Sequence, residues 1–231
     1  MCACNKTHTR LWTHKHKSKE ALKEIGFLPN FHGVIVKDGT ELYNDFGLYL
    51  SQCISHILRY LVPYYKEINH QSAKKMSDFL SAHNEIRKQK IKDGISSFTK
   101  EEYDEIIKQY DDIINEWEKE LKADINNHLF EEEYCLWRRM KYDNKQMDKS
   151  IRGDRDEILY FLSDFNVPST NNPAEVAQRP AKIKQKIGKF RSVDGAEYYT
   201  IIRSCISTYK KNDINVFKSL ISAFENQTVI V

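Results

Sequence analysis

Apolar residues recur at helical spacing through the middle of the chain. From about residue 55 to residue 130 the pattern predicts helices alone, and the longest of them begins at a capping box formed by Thr99 and Glu102. A helix over 72–91 precedes it, so we expect an antiparallel helical hairpin. The apolar face of the long helix consists of Tyr103, Ile106, Tyr110, Ile113, Ile114, Trp117 and Leu121.

The residues before this helical region follow a different pattern. Residues 1 to 16 favour extended chain, and Ser18 is placed to cap a short helix that ends at Ile25. The stretch "GVIVKDG" then puts a short apolar run between turn signals, which is typical of a buried parallel strand. A helix followed by a strand is the order of α/β proteins. We therefore expect an α/β fold that is helix-rich overall, with a large all-helical insertion.

The C-terminal part returns to helices after a polar segment over 143–154 that reads as a loop. Asn172 is placed to cap one of these helices, and Pro173 suits its first position. Glu175 then falls at the third position, where its carboxylate can reach back to the cap and favours the positive helix end. Further helices are expected over 156–165, 194–211 and 213–224.

Composition narrows the class of protein. Among 231 residues, 30% are charged, and the low counts of Gly (8) and Pro (5) favour long helices. The net charge of +3 does not by itself indicate a nucleic-acid partner. Five scattered cysteines fit reduced thiols better than a disulfide framework, and no apolar run is long enough for a membrane span. A cytoplasmic protein without a membrane partner is expected.

Asp38 is the first candidate for chemistry. It ends the predicted strand and is followed by Gly39, and the carboxyl ends of parallel strands open onto a crevice where ligands bind. The alternative is that Asp38 only caps the following turn.

Basic residues follow Glu175 with no further acid before residue 194. The cations that lie 4, 7, 11 and 14 residues after it share its face if the helix continues. They are Arg179, Lys182, Lys186 and Lys189. A carboxylate at the head of a cationic face suits DNA, whose backbone is held by Lys and Arg while a metal ion sits at the acid.

Other residues modify this interpretation. Lys184 and Arg191 add charge, whereas Pro180 interrupts the helical pattern. A basic face can also be ordinary solvated surface, which is the alternative to a DNA site. An apolar face beside the cations is expected to be buried, and it consists of Val176, Ile183, Ile187 and Phe190.

Cys53, His56 and Arg59 follow one another at helical spacing in "CISHILR". A zinc site would need a second pair of ligands, and the N-terminal cysteines and histidines match no zinc spacing. His56 is more simply a hydrogen-bonded, half-buried side chain. The sequence contains no Walker loop, no Gly-rich dinucleotide turn, no nucleophile elbow and no HExxH motif.

Several motifs occur in one order along the chain: "FLPNFHGVIVKDGTELY", "CISHILRYL", a helical insertion, "ILYFLSDFNVPSTNNPAE", "KIKQKIGKFRSVDGAEYY" and "IRSCISTYKKNDINVF". In this order the chain resembles the C-terminal half of transposases of the insertion sequence 66 type. Those proteins belong to the DDE superfamily, whose fold is ribonuclease H-like. The resemblance covers nearly the whole chain, and residues 167–217 are its most specific part.

The resemblance implies roles for particular residues. Asp38 matches the second acid of the catalytic triad and Glu175 the third, and both would bind Mg²⁺ or Mn²⁺ for two-metal phosphoryl transfer on DNA. Asn171 and Asn172 precede Glu175 in the NNxAE motif and would support it. His56 and Arg59 match a C-x-x-H-x-L-R segment whose role the resemblance does not assign. The DNA contacts would come from Arg179, Lys182, Lys184, Lys186, Lys189 and Arg191.

The chain also departs from the family pattern. The first acid of the family lies on the first strand in a D-E-T segment, and these 231 residues contain no such segment. An N-terminally truncated transposase is therefore expected, with an incomplete ribonuclease H-like sheet that lacks its first strand, weak or absent metal binding and no turnover by itself. Its expected parts are 1–54 for the first portion of the core, 55–153 for the helical insertion and 154–231 for the portion with the third acid.

Two further functions remain open from the sequence. The first is a non-enzymatic DNA-binding or assembly protein, such as an inhibitor that pairs with itself or with full-length transposase through the helical insertion. The second is a helical scaffold with no DNA role.

Overall fold

The computed structural model describes residues 1–123, 130–141 and 155–225, which form two compact units. The hairpin unit comprises Met1–Leu28 and the described residues from Asn171 onward, and the bundle unit comprises Pro29–Thr170. The strands are β1 Cys2–Cys4, β2 Thr9–Leu11, β3 Val34–Lys37 and β4 Tyr49–Gln52. The helices are α1 Lys19–Ile25, α2 Ile54–Lys66, α3 Gln71–Lys92, α4 Lys100–Ala123, α5 Phe130–Lys141, α6 Arg155–Ser163, α7 Asn172–Ile187, α8 Val193–Lys211 and α9 Val216–Phe224.

A small antiparallel sheet organises the hairpin unit, which confirms the extended chain predicted at the N-terminus. β1 and β2 pair with Cys2 opposite Leu11, and α8 packs along β2. The amides of Thr9 and Leu11 donate to the hydroxyls of Thr208 (3.1 Å) and Ser204 (2.8 Å) on α8. Because a free strand edge invites pairing with other chains, these hydroxyls close one edge of the sheet without a third strand.

The bundle unit contains a parallel pair of strands. β3 and β4 pair residue by residue from Val34 opposite Tyr49 to Lys37 opposite Gln52, and α6 packs on β4. The predicted parallel strand is thus confirmed, although only its last residue is fully buried. No pattern indicated β4, because its buried positions are the polar residues Ser51 and Gln52 rather than an apolar alternation.

The helices of the bundle unit share one apolar core. Lys90 contacts Glu102 at 2.8 Å and Lys75 contacts Glu116 at 2.5 Å, so α3 and α4 run antiparallel as predicted. The capping box at the start of α4 is present in both directions, from Thr99 to Glu102 and back. The largest fully buried side chains of the core are Ile57, Leu61, Met76, Leu80, Tyr110, Trp117, Leu121, Met140, Ile158, Leu159, Phe161 and Leu162.

The protein is therefore α/β and helix-rich, as expected from the sequence. The two compact units are groups of residues that contact one another. The three expected segments were instead defined by where strands and helices occur along the sequence, so they stay a prediction. The whole polar segment predicted as a loop, 143–154, lies outside the described residues together with the expected boundary at 153. Among the described helices, none combines the length and the apolar character needed to cross a bilayer.

Candidate functional site

Asp38 directly follows the last residue of β3, at the carboxyl end of the strand. Its side chain is half-buried, and the next residue, Gly39, has a φ of 81°. This left-handed backbone is accessible to glycine at little cost and turns the chain sharply after the acid. The carboxylate is thus held at a strand end, the position that the sequence predicted for a ligand.

A buried ionic network fixes the strand end next to Asp38. Lys37 is 3% exposed, and its Nζ donates to Asn44 Oδ1 at 2.6 Å and lies 3.1 Å from Glu157 Oε2. The same carboxylate oxygen accepts a hydrogen bond from Gln52 Nε2 at 2.8 Å. Because a buried charge is costly unless it is paired, this network joins the ends of β3 and β4 to α6. Sequence reasoning missed it, and the one available signal was a lysine that ends an apolar strand.

Glu175 lies in the first turn of α7, but one position later than predicted. The cap is Asn171 and not Asn172, because the helix begins at Asn172 and the amide of Glu175 donates to the carbonyl of Asn171 at 3.3 Å. Pro173 is accommodated in the same first turn. Glu175 is half-buried and remains at the positive end of the helix.

Asp38 and Glu175 belong to different compact units, the bundle unit and the hairpin unit respectively. Among the residues that the structure describes, no group of three or more His, Cys, Asp and Glu side chains could hold a metal ion. The described residues therefore do not make up a complete metal centre. The expected convergence of the two acids stays a prediction.

The basic side of α7, defined by Arg179, Lys182 and Lys186, is continuous. The helix continues through Pro180 to Ile187, so the interruption expected at the proline does not occur. The three cations are exposed and lie with Glu175 within roughly 60° around the helix, at 100° per residue.

The outer cations are arranged differently from the prediction. α7 ends at Ile187, and Gly188 is extended with a φ of −172°. Lys189 was expected on the same helix face as Lys182 and Lys186, and this was wrong. Lys189 and Arg191 both lie beyond the end of α7. Lys184 lies inside α7 but on the opposite side from Lys182 and Lys186.

The apolar face of α7 is exposed, contrary to the prediction that it is buried. Val176 is 47% exposed, Ile183 54% and Ile187 82%. The alanines of the helix are half-buried instead, together with Gln178 on the same side, and α7 contacts β1 and β2. Small side chains let a helix approach a strand pair closely, which explains why the alanine face packs while the large apolar residues face outward. The three alanines are Ala174, Ala177 and Ala181.

His56 and Arg59 lie on α2, in the bundle unit. His56 is half-buried with its ring 6.3 Å from that of Tyr60, whereas Arg59 is exposed. Cys53 is buried at the start of the helix, and the amide of Ile54 donates to the carbonyl of Ser169 at 3.0 Å. The beginning of this segment therefore holds the chain shortly before it enters α7.

Arg87, which sequence reasoning did not identify, also binds the chain shortly before α7. The Nη2 of Arg87 donates to the carbonyls of Phe165 and Val167, both at 2.7 Å, and the guanidinium lies 5.5 Å from the ring of Phe165. Burial lowers the pKa of Arg87 from its ordinary value. One arginine in a highly charged helix carried no signal of this contact.

Comparison with known families and proteins identifies a family. The profile of the family described as "Transposase IS66 family" matches residues 2–198. No curated protein and no solved structure matches the chain.

Proposed function

Because this chain belongs to the IS66 family of transposases, we propose that it is a catalytic-region polypeptide for DNA transposition that holds DNA along the basic side of α7. Family membership links the chain to transposition of DNA. The observation that carries the DNA-binding part is the exposed cationic face of Arg179, Lys182 and Lys186, which follows Glu175 on one uninterrupted helix without a further acid. Lysine and arginine side chains in such a row can neutralise successive phosphates of one strand.

The proposal extends to the other cations and to the supporting residues. Lys189 and Arg191, which leave the helix, and Lys184 on its other side would contact phosphates of the same DNA from different directions. Asn171 and Asn172 set the start of α7 and hence the direction of Glu175. His56 and Arg59 are included only because they lie on α2, where the amide of Ile54 donates to the carbonyl of Ser169 shortly before α7.

Asp38 and Glu175 are proposed as two acids of a DDE-type site on a ribonuclease H-like core. A parallel strand pair with an acid at its carboxyl end, and a helix with an acid in its first turn, support this assignment. The donors are hard oxygens, which Mg²⁺ and Mn²⁺ prefer. The residues that the structure describes do not form a complete metal centre. We expect metal binding by these residues to be weak or absent, and turnover to need a further acid. Because its substrate would be DNA, we propose that the protein acts in the cytoplasm.

DNA binding tests the proposal. The double variant Lys182→Glu with Lys186→Glu should bind duplex DNA at least about tenfold more weakly, because two phosphate contacts are replaced by repulsion. The slope of log affinity against log salt should also fall by about two. Fluorescence anisotropy of a labelled duplex at several salt concentrations measures both quantities.

The matched control is Lys108→Glu with Lys119→Glu, which changes the net charge equally on the exposed side of α4. Equal weakening by both double variants would show that only overall charge matters, and the assignment of α7 would be abandoned.

The second candidate is a non-enzymatic DNA-binding or assembly protein that occupies DNA ends or pairs with intact transposase through α2 to α5. It is favoured because, among the residues that the structure describes, no group of three or more His, Cys, Asp and Glu side chains could hold a metal ion. This candidate predicts that Asp38→Asn and Glu175→Gln leave DNA affinity unchanged and that Mg²⁺ induces no cleavage. Mg²⁺-dependent nicking of supercoiled DNA that is lost in Asp38→Asn would instead favour an enzyme.

A further inference from the structure

The hairpin unit contains a cavity of about 700 Å³. Arg179, Lys182 and Lys186, which define the basic side of α7, are not among its lining residues. Its walls come from the end of β2 and the residues after it, from α1, and from the residues before and at the start of α8. Every lining residue belongs to the hairpin unit. Its volume falls within the range of small-molecule and cofactor sites, about 300–1,000 Å³. The lining includes the charged and aromatic residues Arg10, Trp12, Lys15, Glu24, Arg191 and Glu197.

An aromatic ring and cations line this cavity together. The indole of Trp12 is half-buried, and the guanidinium of Arg10 lies 5.8 Å from its centroid. Lys15 and Arg191 are exposed at the cavity wall. Aromatic rings and guanidinium planes stack on bases, and Lys and Arg hold phosphates.

Two carboxylates in the lining make the cavity a poor site for a simple anion. Glu24 accepts a hydrogen bond from His14 at 2.8 Å, and Glu197 is exposed near the start of α8. A bare phosphate or an acidic peptide would be repelled by both groups. A nucleotide combines a phosphate for the cations, a π-face for the indole and amino groups that a carboxylate can accept from.

The chain connects this cavity to the basic side of α7. Arg191 follows the last residue of α7, Ile187, after only Gly188, Lys189 and Phe190, and Phe190 itself lines the cavity. We propose that the cavity receives one unpaired nucleotide from the end of DNA bound along α7, with its base against Trp12 and its phosphate near Lys15 and Arg191. This inference rests on the proposed DNA-binding function and adds the class of DNA structure that the protein prefers.

Tryptophan fluorescence gives a direct readout, because Trp117 is 0% and Trp137 4% exposed in the bundle unit. Titration with a duplex that carries a short single-stranded 3′ overhang should quench Trp12, and a blunt duplex of the same sequence should not. The overhang should also raise affinity about fivefold or more, the range expected for one stacked base. Trp12→Phe should abolish the quenching but keep most of the added affinity.

Trp12→Ala should remove the added affinity of the overhang and leave blunt-duplex binding unchanged. Tyr198→Ala, which removes an aromatic residue that is 64% exposed on α8 outside the cavity, is the control and should change neither. Because Trp12 also contacts Phe27 at 5.2 Å between ring centroids, circular dichroism must show a wild-type fold, and Trp12→Phe remains informative if the alanine variant does not fold.

The two proposals fail in different ways. If neither duplex binds, the DNA-binding function is wrong and this inference falls with it. If both duplexes bind equally in the wild type, or if Trp12→Ala retains the advantage of the overhang, only the nucleotide cavity is overturned.

Discussion

Glu157→Ala should destabilise the bundle unit by about 3–5 kcal/mol, the cost of breaking a buried ion pair from one side. Lys37 is 3% and Glu157 6% exposed at their side chains, with 3.1 Å between Nζ and Oε2. Without the carboxylate, the ammonium keeps only Asn44 as a described polar neighbour, and Gln52 loses its acceptor. The strand end that carries Asp38 would be loosened with it.

Urea unfolding followed by far-UV circular dichroism measures this loss. Glu116→Ala is the matched control, since it removes the acid from an exposed pair with Lys75 and should cost less than about 1 kcal/mol. Hydrogen exchange gives a local readout, because the amide of Cys53 donates to the carbonyl of Lys37 at 2.8 Å and should exchange faster in Glu157→Ala.

A double variant separates charge burial from packing. Lys37→Met with Glu157→Leu replaces the pair by apolar side chains and should lie closer to the wild type in stability than Glu157→Ala does. If the double variant is the less stable of the two, or if Glu157→Ala costs no more than Glu116→Ala, the network does not hold the strand end.

Trp117→Ala should destabilise the bundle unit by about 3–5 kcal/mol, the range for deleting a large aromatic side chain from a core. Trp117 is fully buried, and its Nε1 donates to Glu133 Oε1 at 2.6 Å. His70 Nδ1 lies 2.8 Å from the same oxygen. Burial raises the pKa of Glu133, because the charged carboxylate is costly away from water. When the indole is removed, Glu133 loses one of the hydrogen bonds that offset this cost.

Thermal and urea unfolding followed by circular dichroism measure this loss. A phenylalanine variant separates the loss of ring volume from the loss of the hydrogen bond. Trp117→Phe keeps most of the ring volume and removes the N–H, so it should cost about 1–3 kcal/mol. Tyr134→Ala, which removes an aromatic residue that is 38% exposed on α5, is the control. A loss for Trp117→Ala that is no larger than for Tyr134→Ala would contradict the core position of the indole.

Local rules predicted the features that involve residues close in sequence. Ser18 caps α1 by accepting from the amide of Ala21, and the Thr99–Glu102 box opens α4 as predicted, because both need only residues three apart. The apolar face of α4 is buried at Ile106, Tyr110, Ile114, Trp117 and Leu121. The order of motifs also predicted the transposase family, which the match over residues 2–198 confirms.

Long-range contacts decided what these rules could not. α7 carries an apolar face and an alanine face, and periodicity favours burial of the apolar one, but the hairpin unit takes the alanine face. The start of α7 was predicted one residue late because Asn171 and Asn172 are both good caps, and the backbone selects Asn171. β4 was missed because its burial depends on α6, more than 100 positions away along the chain.

The sequence by itself determined the family, the predominance of helices and the identity of the acids and cations offered for chemistry, since these depend on residue types and short spacings. Only the tertiary structure decided which helix faces pack, that Lys37 is neutralised by Glu157, and that Asp38 and Glu175 are held by different compact units. The physical reason is that burial and ion pairing are set by residues that meet through folding, and the free energy of such contacts does not depend on how far apart they lie in the chain.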